Sequence, residues 1–444
     1  MIPLDFTHDP DTRSWVESAN DPSADFPIQN LPFAVFRPQG ADAAFRCGVA
    51  IGDQIIDLPR LAEIEGLSAS LHTLAKLAAK DSLAPIMRLG ADGWRTLRHD
   101  LFRLLTVDSL FKASLQGCLF DQASVEYALP CTVGDFTDFY TSVHHARKTA
   151  QALKPGSEPP ANFFSMPMAY HGRSSTVQPG GGEVSRPQGQ RWDKTEDRAI
   201  YGPSTRLDYE VELGVLLGVG HKGATALTVD EAEEHIFGVC LLNDWSARDF
   251  QAWEGRPLGP FLAKNFATTL SPWIVTLDAL RPYRCAMLRE PAPHPVPEYL
   301  DSERNSQHGA YPIQITLALE SANMRGQGIA PQTLASVNFS EGQWTLAQMV
   351  THHTANGCSL RAGDLLGTGT ISGAGQHESG CLLELTKNGK APVALNSGEE
   401  RAYLEDGDRV IMQAQCTAPS RRRIGFGILS DTVAAPIPLP ALGK

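Results

Sequence analysis

The chain has 444 residues, 42% of them hydrophobic, and a net charge of −12 at neutral pH. This length and composition predict a large buried core and two or three domains. The acidic balance argues against nucleic acid as a partner, and no apolar run approaches the length that spans a membrane.

The first fifteen residues carry Asp5, His8, Asp9 and Asp11 and no apolar core, which differs from a secretory signal and predicts a protein of the cytoplasm. The eight cysteines are scattered, and none forms a Cys-x-x-Cys pair. Several lie in apolar, strand-like runs. This usage predicts reduced, buried thiols rather than disulfides or a zinc site.

The pattern over residues 1–125 indicates an accessory domain. Pro32-Phe-Ala-Val-Phe and Arg46-Cys-Gly-Val-Ala-Ile have strand character, and Gly52-Asp53 is a two-residue hairpin signal. The pattern then becomes helical, with a buried stripe from Trp94 through Leu97 and Leu101 to Leu104. No residue of this part has an obvious catalytic pattern.

The second domain opens with Gly134-Asp-Phe-Thr-Asp-Phe-Tyr-Thr-Ser-Val-His-His-Ala. In an extended stretch Asp138 and Tyr140 lie on one side and can face a common site. Ser142 is suited to cap a helix that runs toward Leu153, which places His145 at about the third helical position. A helix N-terminus disfavours an imidazolium, so the imidazole of His145 would stay neutral and be able to act as a base. Taken alone, a pair of histidines at a helix start is more often a surface feature.

Carboxylates alternate along Leu207-Asp-Tyr-Glu-Val-Glu-Leu-Gly-Val-Leu-Leu. The period of two predicts one strand with Asp208, Glu210 and Glu212 on one face and apolar residues on the other. Three carboxylates on one face repel each other. Either water solvates that face or a cation compensates it.

Residues 240–268 concentrate reactive groups behind an apolar run that predicts a buried strand ending at Asn243-Asp244. In the helix that follows, Arg248, Gln251 and Gly255 share one face at i, i+3 and i+7. The Pro257-Leu-Gly-Pro loop has little freedom and can return Lys264 toward Asp244. The simpler alternative is a solvated Asp-Arg helix followed by a surface loop.

Two further stretches have polar groups in apolar or glycine-rich surroundings. Gly367-Thr-Gly-Thr-Ile-Ser-Gly is a glycine-rich turn after a strand, and it lacks the Gly-Lys-Ser/Thr of a P-loop. Gly380-Cys-Leu-Leu-Glu-Leu predicts a strand in which Glu384 interrupts an apolar run. A carboxylate in such a place needs a partner.

The run Asn-Asp-Trp-Ser-Ala-Arg-Asp-x-Gln-x-Trp-Glu-x-x-Pro-Leu-Gly-Pro-Phe-x-x-Lys, from Asn243 to Lys264, resembles the fumarylacetoacetase family over more than twenty positions. Asn30-x-Pro-Phe, Thr137-Asp-Phe-Tyr and Pro167-Met-Ala-Tyr-His-Gly-Arg-Ser-Ser extend the resemblance over nearly the whole chain. It implies a mainly β fold with α-helices: a small SH3-like N-terminal barrel (1–125) and a larger catalytic domain (126–444) of mixed β-sandwich or β-roll type.

The resemblance also implies an activity, the metal-dependent hydrolysis of a carbon–carbon bond in a β-diketo acid. The family substrate is fumarylacetoacetate, the products are fumarate and acetoacetate, and the reaction ends tyrosine and phenylalanine breakdown. The all-oxygen ligand set would select Ca²⁺ or Mg²⁺ over zinc. The residues that match the family's metal site are Asp138, Glu210, Glu212, Asp244, Lys264 and Thr268.

The same resemblance assigns catalytic and substrate-contacting roles. His145 would be the general base that activates water, and Glu384 would orient it. Arg248, Gln251 and Lys264 would stabilise the enolate that forms when the carbon–carbon bond breaks. The substrate contacts that match are Tyr140, Tyr170, Gln251 and Thr370.

Two positions depart from the family pattern. Gly255 stands where the family has a substrate-contacting tyrosine, and Lys154 is loosely aligned with an arginine. Gly255 is either a helix stop or a space that admits a bulkier substrate. A related hydrolase or decarboxylase of another acylpyruvate or diketo acid is therefore an alternative, and a Ca²⁺-dependent binding protein is a second. Family members are usually homodimers, which we also expect of this chain.

Overall fold

A computed structural model describes residues 4–40, 42–223, 225–291 and 295–438. Its N-terminal part contains the strands β1 (Phe33–Pro38), β2 (Arg46–Ile51), β3 (Gln54–Asp57), β4 (Leu119–Asp121) and β5 (Val125–Ala128). The helices of this part are α1 (Ala69–Ala78), α2 (Ala84–Met87), α3 (Gly90–Leu105) and α4 (Lys112–Leu115).

The N-terminal strands form an antiparallel sheet in the order β4-β3-β2-β1-β5. The predicted hairpin joins β2 and β3, and Gly52 at its tip has φ +58°, a conformation that glycine adopts without strain. Helix α3 buries Leu97, Leu101 and Leu104 against this sheet's core, as the helical stripe predicts. The boundary at residue 125 stays a prediction; β5, which begins there, pairs with β1.

The C-terminal part contains the remaining elements. Its strands are β6 (Phe136–Tyr140), β7 (Met168–His171), β8 (Val177–Pro179), β9 (Glu183–Ser185), β10 (Gln188–Asp193), β11 (Arg198–Pro203), β12 (Leu207–Asp208), β13 (Val211–Leu217), β14 (Ile236–Asp244), β15 (Ser246–Ala247), β16 (Thr268–Leu270), β17 (Val275–Thr276), β18 (Gln314–Glu320), β19 (Gln332–Asn338), β20 (Leu365–Gly367), β21 (Val393–Ala394), β22 (Glu400–Arg401), β23 (Arg409–Cys416) and β24 (Ile424–Ala434). Its helices are α5 (Val143–Leu153), α6 (Val229–Ala232), α7 (Arg248–Glu254), α8 (Leu277–Leu280), α9 (Glu303–His308), α10 (Ala322–Gln327), α11 (Leu346–Thr354) and α12 (Leu382–Leu385).

Two sheets dominate this part. The larger has the order β7-β6-β20-β13-β14-β16-β8, with β17 paired to β14, and the second has the order β19-β18-β23-β24-β9. The predicted fold class, mainly β with α-helices and a small N-terminal domain before a larger one, is confirmed.

The large sheet is buried on both faces. Along β13, Leu213 and Val215 pack into the core shared with the second sheet, whereas Leu216 packs into the core shared with the N-terminal part. The same alternation holds along β14, where Leu241 faces the first core and Leu242 the second. An antiparallel bridge between Phe33 and Ile274 joins the two parts by main-chain hydrogen bonds of 2.8 and 3.1 Å.

The structure corrects two local predictions. The stretch 207–217 is not one strand, because the chain changes sheets after Asp208: β12 pairs with β15, and β13 pairs with β14 and β20. Glu384 lies in the short helix α12 and not in a strand, since an apolar run of four residues fits either structure.

No helix in the described residues is both long enough and apolar enough to cross a membrane.

Candidate active site

A histidine and a glutamate form a buried pair at the start of α5. The Ser142 side chain caps this helix by accepting the backbone N–H of His145 at 3.2 Å, which puts His145 at the predicted third position. His145 Nδ1 is hydrogen-bonded to Oε1 of Glu384, and the two side chains are 5% and 0% exposed. With Nδ1 engaged, Nε2 is the nitrogen available to the cavity that His145 lines.

Two more donors hold the same oxygen of Glu384. Ser372 Oγ donates to it at 2.9 Å and Cys381 Sγ at 3.4 Å. Burial raises the pKa of the Cys381 thiol well above its usual value, so the thiol stays protonated and can donate. The other oxygen, Oε2, is buried without a partner among the described residues. The carboxylate is therefore held in one orientation and fixes the imidazole in turn.

Three carboxylates meet over the centre of the large sheet. One oxygen each of Asp138 on β6, Glu212 on β13 and Asp244 at the end of β14 lie within 4.8 Å of one another, and all three residues are buried. Strand β20 runs between β6 and β13 and places Gly367 beneath the first two. A Cβ at Gly367 would lie 2.4 Å from Asp138 Oδ1 and 2.9 Å from Glu212 Oε2, so the approach of these carboxylates requires a glycine.

The backbone after β20 also binds this cluster. The N–H of Gly369 donates to Asp138 Oδ1 and to Glu212 Oε2, both at 3.1 Å. Gly369 has φ +72°, in the left-handed region that favours glycine. The predicted glycine-rich turn thus contributes a main-chain donor to the carboxylate cluster.

Lys264 lies beside the cluster, as the rigid loop predicts. Its Nζ donates to Asp244 Oδ2 at 2.7 Å and to Glu210. Asp244 also accepts Tyr170 OH at 2.8 Å and Thr268 Oγ1 at 3.2 Å. Three of the four predicted carboxylate ligands thus meet directly, and Glu210 joins them through Lys264.

The buried negative charge exceeds what Lys264 compensates. Burial and the neighbouring carboxylate of Asp244 raise the pKa of Asp138 to about 8. Burial and the carboxylates of Asp138 and Asp244 raise the pKa of Glu212 well above its usual value. Burial alone would also raise the pKa of Glu210. The positive charges of Lys264 and Arg248 outweigh this effect and lower the pKa of Glu210 to about 2. Glu212 Oε1 has no hydrogen-bond partner in the described part of the chain. An additional cation at the cluster would fit both observations.

Arg248 at the start of α7 is held by two acids. Its Nε donates to Asp208 Oδ2 at 2.9 Å. Its Nη1 lies 2.8 Å from Glu210 Oε1 and also donates to Gln251 Oε1 at 3.1 Å. Asp208 further accepts two backbone N–H groups at the start of α12, at 2.7 and 3.0 Å. One carboxylate thus positions both Arg248 and the helix that carries Glu384.

Part of this set lines one cavity of about 700 Å³, whereas Glu212, Asp244, Thr268 and Glu384 are not among its lining residues. The ring of Tyr140 meets that of His145 edge-on, with centroids 5.2 Å apart. The volume suits a small organic ligand. The predicted site residues that line the cavity are Asp138, Tyr140, His145, Tyr170, Glu210, Arg248, Gln251, Lys264 and Thr370.

Comparisons with known proteins identify the family. The profile described as "Fumarylacetoacetase N-terminal" matches residues 29–130, and the profile described as "Fumarylacetoacetate (FAA) hydrolase C-terminal" matches residues 135–434. The chain belongs to the fumarylacetoacetate hydrolase family.

Relatives named fumarylacetoacetase are similar along almost their whole length. The protein of Oryza sativa subsp. japonica is 40% identical over 435 residues, which cover 96% of this chain and 98% of that protein. The Homo sapiens protein is 40% identical over 442 residues, which cover 97% of this chain and 99% of that protein. A solved structure described as a putative HpcE protein from Mycobacterium smegmatis has a TM-score of 0.50 at 16% identity, covering 90% and 99%, and its likeness concerns the fold alone.

The two departures from the family pattern differ in position. Gly255 follows the last residue of α7. Gly255 and Arg256 both line the cavity, whereas Lys154 does not. A Cβ at Gly255 would lie 2.6 Å from the carbonyl oxygen of Gln251. The end of α7 therefore favours glycine for its own packing, independent of any substrate.

The site contains residues that the sequence did not single out for it. The sequence pattern places Asp208 on the carboxylate face without a partner, and it assigns no role to Ser372, Gly367, Arg206 and Asn388. The signal for Asp208 is its position in an apolar run, because a carboxylate that becomes buried there demands a cationic partner. No local pattern indicated the other four.

Proposed function

We propose that the chain hydrolyses fumarylacetoacetate to fumarate and acetoacetate in a reaction that requires a divalent cation. The observation that carries this proposal is that one cavity is lined both by His145, which Glu384 holds, and by Asp138, a member of a buried carboxylate cluster with more negative charge than its lysine compensates. The relatives named fumarylacetoacetase support the substrate. The reaction would complete the breakdown of tyrosine and phenylalanine.

The proposed cation site consists of Asp138, Glu212 and Asp244, with Glu210 beside them. These residues fit a hard cation because every donor is an oxygen and Glu212 Oε1 has no other partner in the described residues. We propose Ca²⁺ or Mg²⁺, which would bind and polarise the diketo oxygens of the substrate. Thr268 and Lys264 hold Asp244 in place for this ligand set.

The remaining chemistry belongs to the side chains. His145 Nε2 takes a proton from a water molecule, and Glu384 stabilises the resulting imidazolium. The hydroxide attacks the carbonyl carbon next to the fumaryl double bond. When the adduct collapses, the carbon–carbon bond breaks and its electron pair leaves with acetoacetate as an enolate, which a proton then neutralises.

Arg248, Gln251 and Lys264 line the cavity as donors for that developing negative charge. Both arginine and lysine are already oriented by buried carboxylates, so they need little reorganisation as the charge forms. Tyr140, Tyr170 and Thr370 line the same cavity and would contact the substrate.

Steady-state assay of the purified protein against fumarylacetoacetate and a panel of acylpyruvates, with and without added Mg²⁺ or Ca²⁺, tests the proposal. We expect the highest kcat/KM with fumarylacetoacetate and a dependence on the cation. A higher kcat/KM with an acylpyruvate would favour the alternative, a related hydrolase or decarboxylase of another diketo acid.

We further propose an accessory domain of residues 1–125, a catalytic domain of residues 126–444, a homodimeric assembly and a location in the cytoplasm. The first two rest on the element pattern and the third on the family resemblance. The last rests on the cysteines of the described residues, which are all free thiols and suit a reducing compartment. Light scattering of the purified protein measures the assembly directly.

A further inference from the structure

Two exposed arginines line the cavity, and no carboxylate of the described residues neutralises them. The buried cations, Arg248 and Lys264, are both paired with acids. Arg206 and Arg256 also line the cavity, and among the described residues neither lies at ion-pair distance from an Asp or Glu. The acids that line the cavity, Asp138 and Glu210, belong to the inner cluster.

The neutral side chain of Asn388 lies beside Arg206 and adds a second hydrogen-bond donor, its Nδ2 group. The Arg206 guanidinium lies 3.5 Å from Asn388 Oδ1, and the Tyr403 hydroxyl donates to the same oxygen at 2.7 Å. Burial raises the pKa of Tyr403 to about 12, so the phenol keeps the proton that it donates. Because two donors point at one end of this amide, that end is the oxygen, and the Nδ2 group donates to no acceptor in the described part of the chain.

The backbone explains why an asparagine can hold this position. Asn388 has φ +59°, a left-handed conformation that asparagine tolerates better than most residues, and its N–H donates to the carbonyl of Leu383 at 2.7 Å. Asn388 thus follows α12 in a fixed turn, four residues after Glu384, and lines the cavity together with Arg206.

We propose that Arg206 and the Nδ2 group of Asn388 form a subsite for the carboxylate of the fumaryl arm. This inference rests on the proposed function. The water activated by His145 attacks the carbonyl of that arm, and α12 connects the His145–Glu384 pair to Asn388, so the fumaryl arm lies on their side of the cavity. A planar guanidinium beside an amide N–H₂ group matches the two oxygens of a carboxylate.

The test compares three substrates that differ in their carboxylates: fumarylacetoacetate, fumarylacetone, which lacks the acetoacetyl carboxylate, and crotonylacetoacetate, which lacks the fumaryl one. We expect Arg206→Gln to lower kcat/KM for the first two by about 10- to 100-fold, mainly through KM, and to leave the third unchanged. Asn388→Gly, which keeps the left-handed turn, should give the same pattern with a smaller loss. An equal change on all three substrates, a loss confined to crotonylacetoacetate, or no loss would overturn the subsite.

Arg361→Gln is the matched control, since this side chain is 75% exposed and does not line the cavity. Wild-type turnover of fumarylacetoacetate reports on the proposed function separately. If the wild type turned over none of the three substrates, calorimetry with Mg²⁺ present would still decide the subsite. Tighter binding of fumarate than of crotonate, lost in Arg206→Gln, would support it, and equal binding would contradict it.

Discussion

Replacing Glu384 with glutamine separates the charge of this residue from its shape. The glutamine amide oxygen can still accept from His145, Ser372 and Cys381, the three donors that now meet at Oε1. The amide nitrogen takes the place of Oε2, which has no partner among the described residues. The imidazole therefore keeps its position, and the negative charge that stabilises it when protonated is lost.

The size of the effect follows from that loss. A hydrogen bond to a charged group contributes about 1.5–3 kcal/mol, which corresponds to a decrease in kcat of roughly 10- to 100-fold. Removing the base itself costs more, since general bases typically contribute about 10²- to 10⁴-fold, and we expect a loss on that scale for His145→Ala. His144→Ala should change little, because its imidazole faces Glu290 at 3.9 Å and does not line the cavity.

Steady-state kinetics of these variants and of the double variant, with a thermal unfolding midpoint for each, provide the measurement. If Glu384 acts only through His145, the double variant should be no slower than His145→Ala alone. Additive losses would refute the idea that the carboxylate orients the base. A larger loss from His144→Ala than from His145→Ala would show that the wrong histidine has been assigned.

Four further outcomes test the remaining parts of the site. A chelator should abolish turnover and added Mg²⁺ or Ca²⁺ should restore it, and full activity of a metal-free sample would contradict the cation site. Lys264→Met should lower kcat roughly 10²- to 10³-fold with a smaller change in KM, whereas a change in KM alone would reduce Lys264 to a binding residue. Asp208→Asn should lower the free energy of unfolding by about 3 kcal/mol, because it leaves the buried Arg248 with one acid fewer, and chemical denaturation measures this. Arg256→Ala should raise KM for dicarboxylates, and an unchanged KM would place this arginine outside the binding path.

The sequence predicts the parts of the site that depend on neighbours along the chain. The serine cap fixes where α5 begins and so where His145 lies, and the Pro/Gly loop limits where Lys264 can return. Both features follow from local backbone chemistry. The amphipathic stripe of α3 is predicted for the same reason.

Contacts between distant segments could not be predicted in this way. Asp208 accepts the backbone N–H of Leu382, 174 residues further along the chain, and no periodicity of either segment indicates that pairing. The alternation over 207–217 gives the side of each residue but not the point at which the chain leaves one sheet for another. That Arg206 and Asn388 line one cavity could not be predicted either, since only the fold brings their segments together.

The N-terminal part covers the sheet face that carries the carboxylate cluster. Leu242 lies two residues before Asp244, and Leu270 lies two residues after Thr268, so each leucine shares a sheet face with its polar neighbour. Both leucines pack into the core that the N-terminal part completes. A chain cut near residue 130 would therefore expose a large apolar surface and should precipitate rather than act as a smaller enzyme. Amino-acid changes within residues 29–130 should reduce the amount of enzyme in a cell more than its turnover number, and a compound that stabilises this junction would rescue activity without entering the active site.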